Sequence, residues 1–182
     1  MVSTELKEAT KKAHLDLERK VIQKLKDIRS NSDYADLLSY FYAYFSRLEQ
    51  AIEPHITGEI LPDYKERRKA DRLKNDMAEL GSADITPPQT ETPAITSPPE
   101  AMGALYVMEG SVMGGSIIIK MLAEKGGITQ GISFFSGYGE ATREKWAEFT
   151  AILDKLATTP EEKQAVINAA NQTFERFSAS MN

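Results

Sequence analysis

Cysteine is missing altogether from this 182-residue chain, which excludes disulfides, thiolate nucleophiles, zinc fingers and iron–sulfur clusters. Histidine is nearly missing. Only His14 and His55 are present, and neither has a glutamate three residues before it, so the Glu-x-x-His pattern of ferritin-like di-iron proteins is absent. An excess of basic residues is also lacking: the formal net charge of −5 gives no globally basic surface and argues against nucleic acid as a partner. No uninterrupted apolar run approaches the roughly 18 residues of a membrane span. The chain is polar from Ser3 onward without the apolar core of a secretory leader, and no hydrophobic tail is expected after Asn182. A cytoplasmic protein that does not engage a membrane is expected. With 41% hydrophobic and 27% charged residues, the composition and length suit one soluble domain spanning residues 1–182.

What is present is helical periodicity, with neither a repeat nor a convincing pair of strands. The spacing predicts a first helix from a cap at Ser3 or Thr4 to about Ile28, with Leu6, Ala9, Ala13, Leu17, Val21 and Ile28 on one face. "SNSD" (30–33) reads as a turn in which Ser32 or Asp33 caps an aromatic-rich second helix that ends near Pro54. A charged helix is expected over Lys65–Leu80, stopped by Gly81. Its basic run "KERRKADRLK" (65–74) reads as a solvated face or as a dock for an acidic electron donor. Residues 81–99 hold five prolines and no helical period, so they read as an extended connection. One long apolar helix should then run from Pro98–Pro99 to Gly126–Gly127, followed by a glycine-punctuated turn region, "ITQGISFFSGYG". Two more helices close the chain, the last opened by Thr159, Pro160 and Glu162. The expected class is all-α.

Two features point to chemistry. His14 falls inside or at the edge of the apolar face, about 20° from Val21 and Leu25, and Lys7 lies two turns earlier, roughly 10 Å along that face. An imidazole beside the core with a cation at that distance suits a ligand that is a metal at one point and an anion at another. Haem is such a ligand; a half-buried histidine bonded to a neighbouring helix is the competing reading. The second feature is "YVMEGSVMGGSIII" (106–119), an apolar helix holding Gly110, Gly114 and Gly115, each costing about 1 kcal/mol relative to alanine. Glycines four apart share a face, let something flat approach the backbone and permit a bend; close helix–helix packing is the alternative. A histidine-bearing helix and a glycine-faced helix together could sandwich a planar macrocycle.

At this point the sequence resembles the soluble, biliverdin-forming haem oxygenases. "LKEATKKAH" (6–14) is similar to the family's proximal motif, in which a lysine and a threonine precede the histidine by seven and four residues. "LYVMEGSVMGGSII" (105–118) resembles its distal-helix motif, and "FFSGYG" followed by "REKW" resembles the region that enters the last part of the fold in bacterial members. The resemblance implies a multi-helical fold with haem, both cofactor and substrate, held between the N-terminal helix and a glycine-rich distal helix. It implies His14 as the iron ligand and Glu18 against the proximal imidazole, where a carboxylate would orient the ring. It places Thr10 in the proximal motif and Lys7, Arg143 and Lys145 near the propionates, with Tyr138 or Tyr106 adding a hydroxyl. Gly110, Ser111, Gly114 and Gly115 would line the distal face and steer an iron-bound hydroperoxide to a meso carbon, giving biliverdin, CO and Fe²⁺.

Ser111 departs from the animal and pathogen enzymes, which carry an aspartate after the first distal glycine. A hydroxyl holds a water but carries no negative charge, so the proton relay must be built differently. The resemblance also implies a ferredoxin- or flavoprotein-type donor, for which Lys11, Lys12 and Lys145 are placed at the exposed haem edge. The alternative is a haem carrier or sensor on the same fold. The thiaminase-like branch of this architecture depends on a cysteine that the chain lacks.

Overall fold

A computed structural model describes residues 1–182. The helices are α1 (Val2–Ala9), α2 (Lys11–Asp27), α3 (Asn31–Ile52), α4 (Asp71–Glu79), α5 (Pro98–Gly110), α6 (Gly115–Gly126), α7 (Thr142–Leu156) and α8 (Pro160–Ser180). Short 3₁₀ turns lie between them, and the protein is all-α. One apolar core extends from Val2 to Met181, with Phe41, Tyr44, Phe45, Phe134 and Phe177 at its centre. Phe177 stacks face to face on Tyr44, ring centres 4.6 Å apart, and the Tyr44 hydroxyl donates to the Thr173 carbonyl at 2.7 Å. These contacts bind α8 to α3.

The closest packing in the bundle is between α5 and α8. A Cβ on Gly103 would stand 2.3 Å from the Val166 carbonyl oxygen, so only glycine permits this crossing. Residues 98–126 are long and apolar enough to pass for a membrane span by composition, with a mean hydropathy of 1.4 over the best window. Most of that window is buried inside the bundle, and the segment is broken in its middle, so it is the core strut of the fold.

The capping signals were legible with small shifts. Thr159 and Glu162 form a reciprocal capping box for α8, and Gly127 ends α6 at φ +63°. Ser30, rather than Ser32 or Asp33, caps α3, its Oγ accepting from the Asp33 N–H at 3.1 Å. Three expectations are corrected. The first helix is divided at Thr10, whose hydroxyl donates back to the Leu6 carbonyl at 2.8 Å, a bond that bends helices. It also begins at Val2, because Ser3 is drawn to α7: its N–H and Oγ–H donate to the two Asp154 carboxylate oxygens at 2.8 and 2.7 Å. The expected helix over Lys65–Leu80 is a 3₁₀ turn and the shorter α4, joined by an irregular stretch carrying Arg67 and Arg68. Both arginines are buried, so the basic run is not a solvated face.

Candidate functional site

α2 and α6 meet at their C-terminal ends, where Gly126 approaches Ile28, while α8 packs on both α2 and α5. Toward their N-terminal ends both helices leave apolar side chains uncovered. Apart from Met1, the exposed large hydrophobic residues of the whole protein are Leu15 on α2, Met113 in the break and Ile117 on α6. These three side chains are the large apolar groups that the fold leaves open to a ligand on α2 and around the break before α6.

His14 stands beside Leu15. Its imidazole is exposed, and its one ring contact is with Phe174 of α8, stacked at 5.2 Å between centres and 25° between planes. Glu18 is exposed and makes no hydrogen bond to the imidazole. Thr10 is buried with its hydroxyl turned to the backbone, so it shapes the entry into α2.

On the opposite element the helix breaks into a 3₁₀ turn over Ser111–Gly114. The glycines there do three different jobs. A Cβ on Gly115 would fall 1.9 Å from the Phe135 carbonyl oxygen, so this residue lets the 134–135 backbone pack against the helix. A Cβ on Gly110 would touch the Trp146 ring at 3.4 Å, which is tight but ordinary packing. At Gly114 a Cβ would meet nothing within 4 Å, so this glycine alone opens onto free space.

Behind the break lies a buried polar network. Arg68 donates to the Phe134 carbonyl at 2.9 Å, the Met108 carbonyl at 2.6 Å and Ser111 Oγ at 2.6 Å, and its guanidinium sits 3.7 Å over the Phe134 ring. Ser111 Oγ–H in turn donates to the Met108 carbonyl at 2.6 Å. Burial pulls the Arg68 pKa down to about 10, so the side chain remains a cation at neutral pH. Its Nε is buried without a partner. Next to it the Arg67 guanidinium pairs with Glu109 and Asp63, both at 2.8 Å. This answers why a carboxylate stands in an apolar helix: Glu109 is neutralised by Arg67. The Tyr138 hydroxyl donates to Glu109 at 2.9 Å and accepts the Arg68 N–H at 2.9 Å; burial, then Glu109, pushes its pKa up to about 12. Lys145 reaches Asp63 at 2.7 Å. Burial would raise the Asp63 pKa, but Lys145 and Arg67 outweigh it and hold the group below the usual carboxylate range.

The structure thus gathers Ser111, Tyr138 and Lys145, far apart in sequence, into one network with Asp63, Arg67, Arg68 and Glu109. Lys7 and Arg143 stay exposed and outside every ion pair. Arg143 lies on a cleft of about 490 Å³ between α6 and the 135–143 segment, with Val112, Ser116 and Ile119 on its other wall. Sequence reasoning missed Arg67, Arg68 and Phe174. A glutamate inside the apolar stretch 105–119, Glu109, is the sequence signal that a buried cation must face α5.

The donor set tests which group would fit. Nowhere do three carboxylates or imidazoles gather to hold a bare ion. A lone exposed imidazole can supply only one ligand, so its metal must arrive with most of its coordination filled, as porphyrin iron does. Flanking apolar groups and free cations at Lys7 and Arg143 match a flat apolar dianion. Haem fits.

The chain is similar in sequence and fold to known proteins. In sequence the chain is 27% identical over 176 residues to heme oxygenase PigA of Pseudomonas aeruginosa, covering 92% of this chain and 85% of that protein. It is 25% identical over 148 residues to a heme oxygenase of Xanthomonas campestris pv. campestris, covering 79% of this chain and 86% of that one. In structure it superposes on the NO- and CO-bound heme oxygenase of Neisseria meningitidis with a TM-score of 0.81 at 19% identity, over 100% of this chain and 90% of the other. The family model described as heme oxygenase matches residues 1–182, and the chain belongs to the haem oxygenase family.

Proposed function

We propose that this chain binds haem on His14 and, with O₂ and electrons from an external ferredoxin- or flavoprotein-type donor, opens the ring to biliverdin, CO and Fe²⁺. The observation that carries the reading is the uncovered apolar surface on two elements, Leu15 beside the exposed His14 and Met113 and Ile117 around the open Gly114. When bound, haem supplies the iron at which O₂ is activated and is itself the ring consumed.

The chain's own residues then have distinct tasks. His14 would hold the iron through an imidazole nitrogen, a weaker electron donor than a thiolate. Gly114 leaves the distal wall without a side chain, while Gly110 and Gly115 let Trp146 and Phe135 pack behind it. Arg68 pins Ser111 and the broken turn, and it brings a fixed positive charge up to the Ser111 hydroxyl. Lys7 and Arg143, free of partners, and Lys145, shared with Asp63, are the cations assigned to the propionates. Thr10 shapes the entry into α2, and Tyr138 supports the α5–α7 junction through Glu109. Lys11 and Lys12 present the donor with positive charge in a region outside the core.

A second reading, a haem carrier or sensor, is favoured by one observation: the Ser111 hydroxyl is already engaged by Arg68 and Met108. Incubation with haem, a reductant and O₂ separates the two. Growth of a biliverdin band supports turnover; a Soret band that persists unchanged supports the carrier.

A further inference from the structure

α8 follows the proximal helix in register. The Asn171 side chain donates to the Ala9 carbonyl at 3.3 Å, Phe174 stacks on His14, and the Ser178 carbonyl accepts from Lys20 Nζ at 2.8 Å. Residues 171, 174 and 178 are three and four apart, so one stripe of α8 meets positions 9, 14 and 20 in order, as parallel helices do. Phe174 is itself fixed. It is buried, the Thr173 carbonyl before it is held by Tyr44, and Phe177, one turn on, is stacked on Tyr44. The imidazole of His14, by contrast, has no side-chain hydrogen bond to set its rotation. Its plane follows that of Phe174 within 25°.

We propose that Phe174 is a positioning residue for the axial ligand: stacking on an immobile ring of α8 sets the rotation of the His14 imidazole, a task that elsewhere falls to a hydrogen-bonded carboxylate or carbonyl. The proposal rests on the reading of His14 as the iron ligand. Offset aromatic stacking is directional enough for this role, because a ring turned edge-on loses the overlap. A fixed imidazole plane in turn fixes how electron density is distributed among the four pyrrole nitrogens facing it.

The test has a part without haem and a part with it. In the haem-free protein, His14 ring protons should show an upfield ring-current shift by NMR; Phe174→Leu should abolish it and Phe174→Tyr should keep it. In the ferric cyanide complex, Phe174→Leu should alter the spread of the hyperfine-shifted haem methyl signals, with Phe174→Tyr returning it toward the parent pattern. His14 protons at unshifted positions in the unmodified protein overturn the proposal even if Phe174→Leu does not fold. An unchanged methyl pattern in a folded Phe174→Leu protein overturns it as well. His14→Ala reports separately on the ligand assignment: an axial-histidine spectrum that survives that change defeats the reading of His14 while leaving the haem-free stacking result intact.

Discussion

Replacing Arg68 by methionine removes the cation that holds the distal break while keeping an unbranched apolar stem. The guanidinium makes three bonds to the Phe134 and Met108 carbonyls and Ser111 Oγ. Hydrogen bonds to a charged group contribute about 1.5–3 kcal/mol each, which makes a gross loss of roughly 5–9 kcal/mol. Two effects reduce it. The acceptors are not orphaned, since the Met108 carbonyl keeps the Ser111 hydroxyl and the Phe134 carbonyl keeps the Gly137 N–H at 3.2 Å. The arginine is also a buried charge with no carboxylate in direct contact and an unpartnered Nε, so its own desolvation, several kcal/mol, disappears with it. The net expectation is a loss of about 2–4 kcal/mol, or a Tm lower by roughly 5–15 °C for a chain of this size. Urea unfolding of the haem-free protein measures it. A double-mutant cycle with Ser111→Ala should return a coupling of about 1 kcal/mol for the Arg68–Ser111 pair. Equal stability of Arg68→Met and the parent, within about 0.5 kcal/mol, together with a coupling near zero, would refute the view that this arginine fixes the turn.

Three further outcomes follow from the same structure. Gly115→Ala places a methyl group 1.9 Å from the Phe135 carbonyl oxygen and should destabilise the fold by about 2 kcal/mol or more in chemical denaturation. Gly114→Ala has open space and helical backbone angles, so the haem-free protein should hold or gain up to about 1 kcal/mol while haem affinity by Soret titration falls. Burial raises the pKa of Glu49, whose carboxylate accepts the Ala70 N–H at 2.6 Å, from 4.5 to about 7. The fold therefore favours the protonated form, and its contribution to stability is full below pH 4.5 and lost as pH rises through about 7. Glu49→Gln keeps the acceptor without the charge, so urea midpoints should show a flatter slope between pH 5 and 7 and a gain over the parent at pH 8.

Much of the fold was legible because helix ends carry local chemistry. Thr159 with Glu162, the prolines of 81–99 and Gly127 each act within a turn of their own position, so a linear reading finds them. His14, Lys7 and the glycines of 110–115 were visible for the same reason, as fixed spacings on one helix. What escaped depends on partners far along the chain. Arg67 and Arg68 stand in a charged run that looks solvated, and only the approach of Glu109 and Ser111, about forty residues later, draws them inside. Thr10 divides the first helix through its own hydroxyl, a bond that competes with helix continuation without marking the sequence. The three distal glycines read alike, yet one faces a carbonyl, one a tryptophan and one open space, a distinction created by the 134–146 segment. Phe174 was one apolar residue among many until α8 lay along α2.

The central claim is that His14 is the ligand that holds haem iron. Ferric haem titrated into the parent protein and His14→Ala, followed by the Soret band and by electron paramagnetic resonance, tests it most directly. An axial-histidine spectrum is expected in the parent and should disappear in the variant, with haem affinity lower by roughly tenfold or more. An unchanged axial-histidine spectrum and affinity in a folded His14→Ala protein would contradict it.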